Sequence, residues 1–528
     1  MGVKGLIKTG AYFDSGTLMI AARELSGKPG VKDAAVVMGT AENLAILNSS
    51  GLLCPELAKG SDTDLLISVK TEDEKSASAA LAEADSLLKS VRQRKAKDSS
   101  YAPKSLEAAL ETLPGANLAI VSVAGRYAGE VAREALEKGL HVMLFSDNVP
   151  LETEVELKKL AQSKGLLVMG PDCGTAIING VPLAFANAVS RGGIGIVAAA
   201  GTGLQEVSSI ISNEGGGISQ AIGTGGRDVK KDVGGIMFLE GLKALAEDAA
   251  TKTIVLVSKP PHESVLQKLG AAVKSVGKPV VAVFLGAEAK TVAGYGMTAA
   301  ATLEEAALLA VALAEGRTPE SVRGRLRSHD EELRGRAVQE AARSAKSQRF
   351  VRGLFSGGTF CAEAQVLFRG LLREVRSNAP LAPYQALADA WKSQGHTLVD
   401  LGEDAFTVGR PHPMIDFSLR VRRIQDEAKD PETAVILLDV VLGYGSNMDP
   451  AGELAPAITA ALKTAREAGR HLTFACSVTG TEKDPQVRSQ VEARLREAGA
   501  LVLPTNAAAA RFAGLLAQEL EKEAKPVV

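Results

Sequence analysis

Residues 192–207 read GGIGIVAAAGTGLQEV, and residues 349–364 read RFVRGLFSGGTFCAEA. Each is an apolar run short enough for a buried strand, followed by small residues and then by helical spacing. Three further pairs follow in the same order: SQAIGTGGRDV (219–229) with TLVDLGEDAFTVGRP (397–411), KTIVLVSKPP (252–261) with TAVILLDVVLGYG (433–445), and KPVVAVFLGAEAK (278–290) with HLTFACSVTGTEKDP (471–485). Four strand-and-loop segments matched in order describe a duplicated unit. They predict two pseudo-symmetric α/β domains, 191–316 and 349–528, packed against each other.

Upstream, NLAIVSV (117–123), HVMLFS (141–146) and LLVMG (166–170) alternate with helical stretches, as expected for doubly wound, right-handed β-α-β units in a Rossmann-like domain over 101–190. Before it, VKGLIK (3–8), AAVVMG (34–39) and DLLISV (64–69) outline a small N-terminal α/β module over 1–100. A helix start at Asp14-Ser15 and an acidic, alanine-rich helix near 73–95 complete it, and QRKAKDSSYAPKS (93–105) has linker composition. The Arg- and Glu-rich stretch 317–348 between the repeats is expected to be a solvated connector helix. The Ala- and Leu-rich helices at 452–463 and 506–520 suit either the core or a subunit interface. The fold class is therefore multidomain α/β.

Composition narrows the function by exclusion. Among 528 residues, 60 Lys and Arg face 62 Asp and Glu, so no net positive field draws the chain to nucleic acid. No apolar run approaches bilayer length, and the four cysteines lie far apart without metal-ligand spacing. The expectation is a reduced, cytoplasmic protein with no membrane or nucleic-acid partner and no metal.

Ligands of open α/β sheets bind at the carboxyl ends of strands. Two such loops, Ala200-Gly201-Thr202-Gly203-Leu204 and Ser356-Gly357-Gly358-Thr359-Phe360, are matched across the repeat. Glycines admit close backbone approach, and a helix N-terminus offers unpaired N–H groups, so Gly201, Thr202, Gly203, Gly357, Gly358 and Thr359 are candidate phosphate-binding residues. Tight strand–helix packing is the alternative for a single such loop, and the duplication in matched positions favours anion binding. In the second pair of loops, Gly225 and Gly226 accompany Arg227, and Arg410 precedes His412 between two prolines. The arginines suit a carboxylate or phosphate, or else a salt bridge between domains; His412 suits an oxyanion or a proton transfer, or else a turn. The turn Met169-Gly170-Pro171-Asp172-Cys173-Gly174-Thr175 places Asp172 and Cys173 at a ligand-facing bend, and Lys259 puts a cation at another strand end. Packing as a small hydrophobe is the better account of Cys173, and solvation serves equally well for Lys259.

At these residues the chain resembles the NDP-forming acyl-CoA synthetase superfamily, which includes succinyl-CoA synthetase, and more closely its FdrA family. LLVMGPDCGTAIING (166–180) is similar to the superfamily's GPNCPG-type turn, GGIGIVAAAGTG to its phosphate-binding strand and helix, IGTGGRD (222–228) to its GIGGDP-type loop, and SGGTF (356–360) to its second phosphate helix. VSVAGRYAGEVAREAL (121–136), HVMLFSDNVPLE (141–152), VGRPHPMID (408–416) and VTGTEKDPQ (478–486) resemble FdrA stretches. The resemblance implies a CoA-binding-type domain at 101–190 and two flavodoxin-like ligase domains, with CoA or phosphate as ligand. Where the ligases carry a phosphorylated histidine, this chain has Gly294-Tyr295-Gly296-Met297-Thr298-Ala299, and nothing in it resembles an ATP-grasp domain or a GxGxxG start. The resemblance thus implies an oxamate carbamoyltransferase subunit working with two other subunits, probing carbamoyl phosphate and oxamate as substrates in allantoin breakdown and assembling as a homo-oligomer. Its alternatives are an acyl-CoA ligase that borrows an ATP-grasp subunit, and a non-catalytic regulator that binds CoA or phosphate.

Overall fold

The computed structural model describes residues 2–523 apart from Tyr12, Asp14, Asp62, residues 98–102, Lys104, Val408 and Gly409. Asp14 of the expected helix start, most of the 98–105 part of the expected linker, and the first two residues of VGRPHPMID therefore lie outside the described residues. The chain divides into two compact units, Met1–Asn117 with Glu403–His412, and Leu118–Gly402 with Pro413–Val528.

In the first unit, β1 (Gly2–Lys8), β2 (Val31–Met38) and β3 (Leu65–Thr71) form an antiparallel sheet in the order β1-β3-β2. Side chains alternate across a strand, so Leu65, Ile67 and Val69 pack with α1 (Ser15–Ser26) and α2 (Glu74–Lys97), while Leu66 packs with Leu47, Leu52 and Leu57. Residues 93–97, read as linker, continue α2.

The second unit begins with β4 (Leu118–Val121), α3 (Gly125–Glu137), β5 (His141–Leu144), α4 (Leu151–Ser163) and β6 (Val168–Met169). Its parallel sheet keeps the order β4-β5-β6, so three strands wind in one direction and the reversal of a doubly wound sheet does not occur. The hairpin β7 (Thr175–Ile178) and β8 (Val181–Ala184), expected within the 101–190 domain, instead joins the next sheet through β7.

That sheet adds β9 (Arg191–Ala198), β10 (Ile218–Gly223), β11 (Thr253–Ser258), β12 (Val280–Phe284) and β13 (Thr298–Ala299), in the order β13-β12-β11-β9-β10-β7-β8. Its helices include α5 (Gly201–Asn213), α6 (Ile236–Glu247) and α7 (Leu303–Ala314). After α8 (Pro319–Ala341), a six-stranded parallel sheet follows: β14 (Phe350–Phe355), β15 (Val375–Ser377), β16 (His396–Asp400), β17 (Thr433–Val441), β18 (Thr473–Thr479) and β19 (Leu501–Leu503). Its order is β15-β16-β14-β17-β18-β19, accompanied by α9 (Gly358–Phe368), α10 (Ser418–Lys429) and α11 (Asn506–Glu523). Thus β13-β12-β11-β9-β10 and β19-β18-β17-β14-β16 are the same arrangement. The duplication read in the sequence is a duplication of topology.

The central strands are buried throughout, as parallel strands covered on both faces must be. Leu204, Val207 and Ile211 of α5, Leu309 of α7, Phe360 and Phe368 of α9, and Phe512 and Leu516 of α11 share one continuous core. The helix at 506–520 is therefore core. The connector expected to be solvated also differs: α8 buries Val322, Leu326, Leu333, Ala337 and Ala341. These lie four or seven residues apart on one stripe, and the charges that lower the segment's mean hydropathy occupy its other faces.

Candidate functional site

Strand β9 lies between β11 and β10, and β14 between β17 and β16, so each sheet reverses its winding direction at the strand that leads into α5 or α9. The two helices meet at their first turns. A Cβ built on Gly357 would lie 2.8 Å from the Thr202 hydroxyl, and one built on Gly203 would lie 3.0 Å from the Thr359 methyl. Each threonine thus rests against a glycine of the opposite helix start, and a side chain at either glycine must displace the facing threonine. Neither helix has a side-chain cap at its N-terminus. Their first-turn N–H groups and the positive ends of both helix dipoles converge on one place.

The loops around this point are fixed from behind. Asp439, fully buried at the end of β17, accepts from the N–H of Ser356 (2.8 Å), the Ser356 hydroxyl (2.7 Å) and the N–H of Gly357 (3.0 Å). Fully buried Arg420 on α10 balances its charge and also donates to the Leu354 carbonyl. On the other side, the turn at 170–175 packs under the β10 loop. A Cβ on Gly223 would lie 2.6 Å from the Cys173 sulfur, and one on Gly225, whose φ is +80°, would collide with the Pro171 carbonyl. Buried Lys158 on α4 links this loop to the three-stranded sheet through Glu154 (2.8 Å), Asp228 (2.7 Å) and the Thr224 carbonyl (3.0 Å). Asp228 in turn accepts from the first N–H groups of α6.

The two helix starts are not equivalent. Asp400, buried at the end of β16, places a carboxylate oxygen 2.5 Å from a Cβ built on Gly358. Gly223 holds the corresponding place in the first sheet, since it pairs with Ala198 as Asp400 pairs with Phe355. Near Gly201 the nearest such atom is the Thr175 hydroxyl, 3.6 Å away. An internal carboxylate therefore sits beside the α9 start, and the α5 start is open.

Gly201, Thr202, Gly203, Gly357, Gly358 and Thr359 thus come together, with the turn holding Asp172 and Cys173 and the loop holding Gly225 and Gly226 close behind. Burial pushes the Cys173 thiol up to about 12, which keeps it protonated and un-nucleophilic. Lys259 is exposed at the end of β11, near enough to α9 to act electrostatically on Cys361. Arg227 is half-exposed, with its guanidinium engaged by Glu154 (2.8 Å) and the Val149 carbonyl (2.8 Å). Arg410 and His412 belong to the first unit, where Arg410 is paired with Asp33 at 2.8 Å. Asp439 had no place in the sequence-based candidate set, and Asp400 and Thr175 stood there only as members of their loops, with no role of their own. Their signal was position alone, each at the carboxyl end or the start of a strand beside a matched loop.

Comparison with known proteins follows this geometry. A CoA-ligase model matches residues 354–516, a CoA binding domain model matches 190–286, and a model described as AllF, heavy metal-associated domain matches 1–104. The CoA binding domain match falls on the first repeat, downstream of the 101–190 stretch for which that domain was expected. YahF of Escherichia coli strain K12 is 42% identical over 519 residues, covering 98% of both chains. The chain belongs to the YahF family, within the NDP-forming acyl-CoA synthetase-like proteins. A succinate–CoA ligase [ADP-forming] alpha subunit of Archaeoglobus fulgidus is 31% identical over 34% of this chain and 61% of its own length. The ADP-forming sulfoacetate–CoA ligase subunit SauD of Bilophila wadsworthia is 26% identical over 32% of this chain and 59% of its own. The chain spans about six-tenths of the length of these ligase subunits.

The N-terminal module does not fit a heavy metal. Its one cysteine, Cys54, is buried with its thiol pushed up, and no group of three or more His, Cys, Asp or Glu side chains able to hold a metal ion occurs among the described residues. No helix among the described residues is long and apolar enough to cross a membrane.

Proposed function

We infer that this chain is the phosphate-handling subunit of an acyl-CoA ligase-type assembly, completed by a partner that supplies the nucleotide-binding domain. The observation that carries this reading is the reciprocal contact of two uncapped helix N-termini at the carboxyl ends of β9 and β14. Two converging sets of N–H groups suit the oxygens of a phosphate or acyl phosphate and stabilise the charge that shifts during transfer. In the thioester-forming step, the CoA sulfur attacks the acyl carbon, the carbon–oxygen bond to phosphate breaks, and inorganic phosphate leaves on the helix N-termini. Thr202, Thr359 and Lys259 are the side chains placed to assist it. The named ligase subunits among its relatives support the same class of chemistry.

A second reading, carbamoyl transfer, is favoured by one observation: Gly294–Ala299, where the ligases carry their phosphorylated histidine, holds Tyr295 and Met297 and no histidine. A phosphate cradle without that carrier suits a substrate that brings its own activated phosphate. There a phosphate oxygen attacks the carbamoyl carbon of oxalurate, the carbon–nitrogen bond breaks, and oxamate leaves.

Parallel thermal-shift titrations with phosphate, carbamoyl phosphate, CoA and ATP test both, since a ligand that binds only the native state raises Tm. Stabilisation by CoA and phosphate supports the ligase subunit. Stabilisation by carbamoyl phosphate without any response to CoA replaces it with the transferase. No response to either phosphate ligand removes the cradle from both.

A further inference from the structure

The joint between the duplicated halves holds three carboxyl groups in a dry interior. Glu206 follows Gly201 by five residues and Glu363 follows Gly358 by five. Glu206 accepts from the N–H of Asn506 (2.9 Å), the first residue of α11, and from the Thr479 hydroxyl. Glu363 accepts from the N–H of Leu303 (2.7 Å), the first residue of α7, and from the Asn506 side-chain amide (2.7 Å). Each of the paired helices thus caps the closing helix of the opposite half. Glu304, buried in the first turn of α7, is the third carboxyl.

Charge in this joint is poorly balanced. The charged neighbours are committed elsewhere: Arg511 on α11 is paired with Asp330 of α8, Arg325 with Glu214, Arg488 with Glu492, and Asp439 on β17 with Arg420. Glu304 Oε2 and Asn506 Oδ1 are buried acceptors with no hydrogen-bond partner among the described residues. A buried carboxyl oxygen without a donor favours the protonated acid, and like charges in one dry interior oppose joint ionisation. Burial raises Glu206, and burial together with the neighbouring carboxyls pushes Glu304 and Glu363 to about 7.

We propose that Glu206, Glu304 and Glu363 form a proton-held clamp that fixes the pairing of α5 and α9. While a proton remains in the trio the joint is closed and the two helix N-termini stay in register. Losing it leaves unbalanced charge in the joint and loosens the pairing, which weakens anion binding at those N-termini. Only this last coupling rests on the anion-site reading.

The test compares the wild-type chain with Glu304→Gln and Glu363→Gln between pH 5 and 8.5. Without ligand, wild-type Tm falls as pH rises from about 4.5 toward about 7 and levels above it, because the unfolded chain releases protons that the folded chain retains. Each Gln variant shows a shallower fall, and an unchanged slope in both overturns the clamp. Glu304→Gln keeps the experiment decisive if Glu363→Gln fails to fold, since the Glu304 oxygen that becomes an amide has no partner to lose. Sulfate, whose charge is constant over this range, then probes the N-termini. Wild-type affinity falls several-fold from pH 6 to pH 8, and the Gln variants stay flat. Binding equal at both pH values overturns the coupling. Failure of sulfate to bind at either pH overturns the anion-site reading and the coupling with it, and the Tm slopes still decide the clamp.

Discussion

Asp400 and Asp439 are both buried carboxylates at strand ends beside α9, yet they act oppositely. Asp439 holds the loop before the helix and is balanced by Arg420, so Asp439→Ala leaves a buried guanidinium unpaired. That change costs about 3–5 kcal/mol, read as a lower denaturant midpoint. Asp400 instead competes for the positive end of the helix. Asp400→Asn therefore tightens sulfate binding by roughly threefold or more at constant pH, and unchanged affinity in a folded variant removes the α9 start from the anion site. The glycines and threonines of the site were legible because they recur in both repeats at one spacing. The aspartates were not, since Gly223 stands where Asp400 does, and a feature that breaks a repeat leaves no pattern to detect. Arg227 shows the opposite limit: its chemistry suits an anion, but only coordinates reveal that Glu154 already holds it.

The central strands and their succession along the chain were readable because buried parallel strands are short apolar runs between glycine-rich turns. Element membership was harder. The hairpin Thr175–Ala184 follows directly on the three-stranded sheet in sequence, and only its antiparallel pairing with β10 assigns it to the larger one. The helix Pro319–Ala341 hid its buried stripe because Arg and Glu dominate the average over its length, whereas packing depends on one face. Leu333 is almost wholly buried on that stripe. Leu333→Ala consequently costs about 2–5 kcal/mol, visible as a shifted denaturant midpoint at an unchanged m-value. A loss below roughly 0.5 kcal/mol, the range of ordinary surface changes, marks the helix as a detached connector.

Within residues 118–402 and 413–523 the two sheets share a continuous core and exchange helix caps, so calorimetry of the chain should show both halves melting in one transition. Two transitions assigned by hydrogen exchange to 175–316 and 349–523 would contradict the shared core. The sequence announced this pairing as a repeat but not its crossed bonds, because a glutamate at the fifteenth place of each segment reads as ordinary helix composition. Those crossed bonds bear on ancestry. In a single half the glutamate of the paired helix does not reach the first N–H of that half's own last helix. Two identical copies related by a two-fold axis would make both bonds at once. The duplicated chain therefore has the bonding pattern of a homodimer whose subunits were joined end to end, with the helix between them turning a second-order encounter into an intramolecular one.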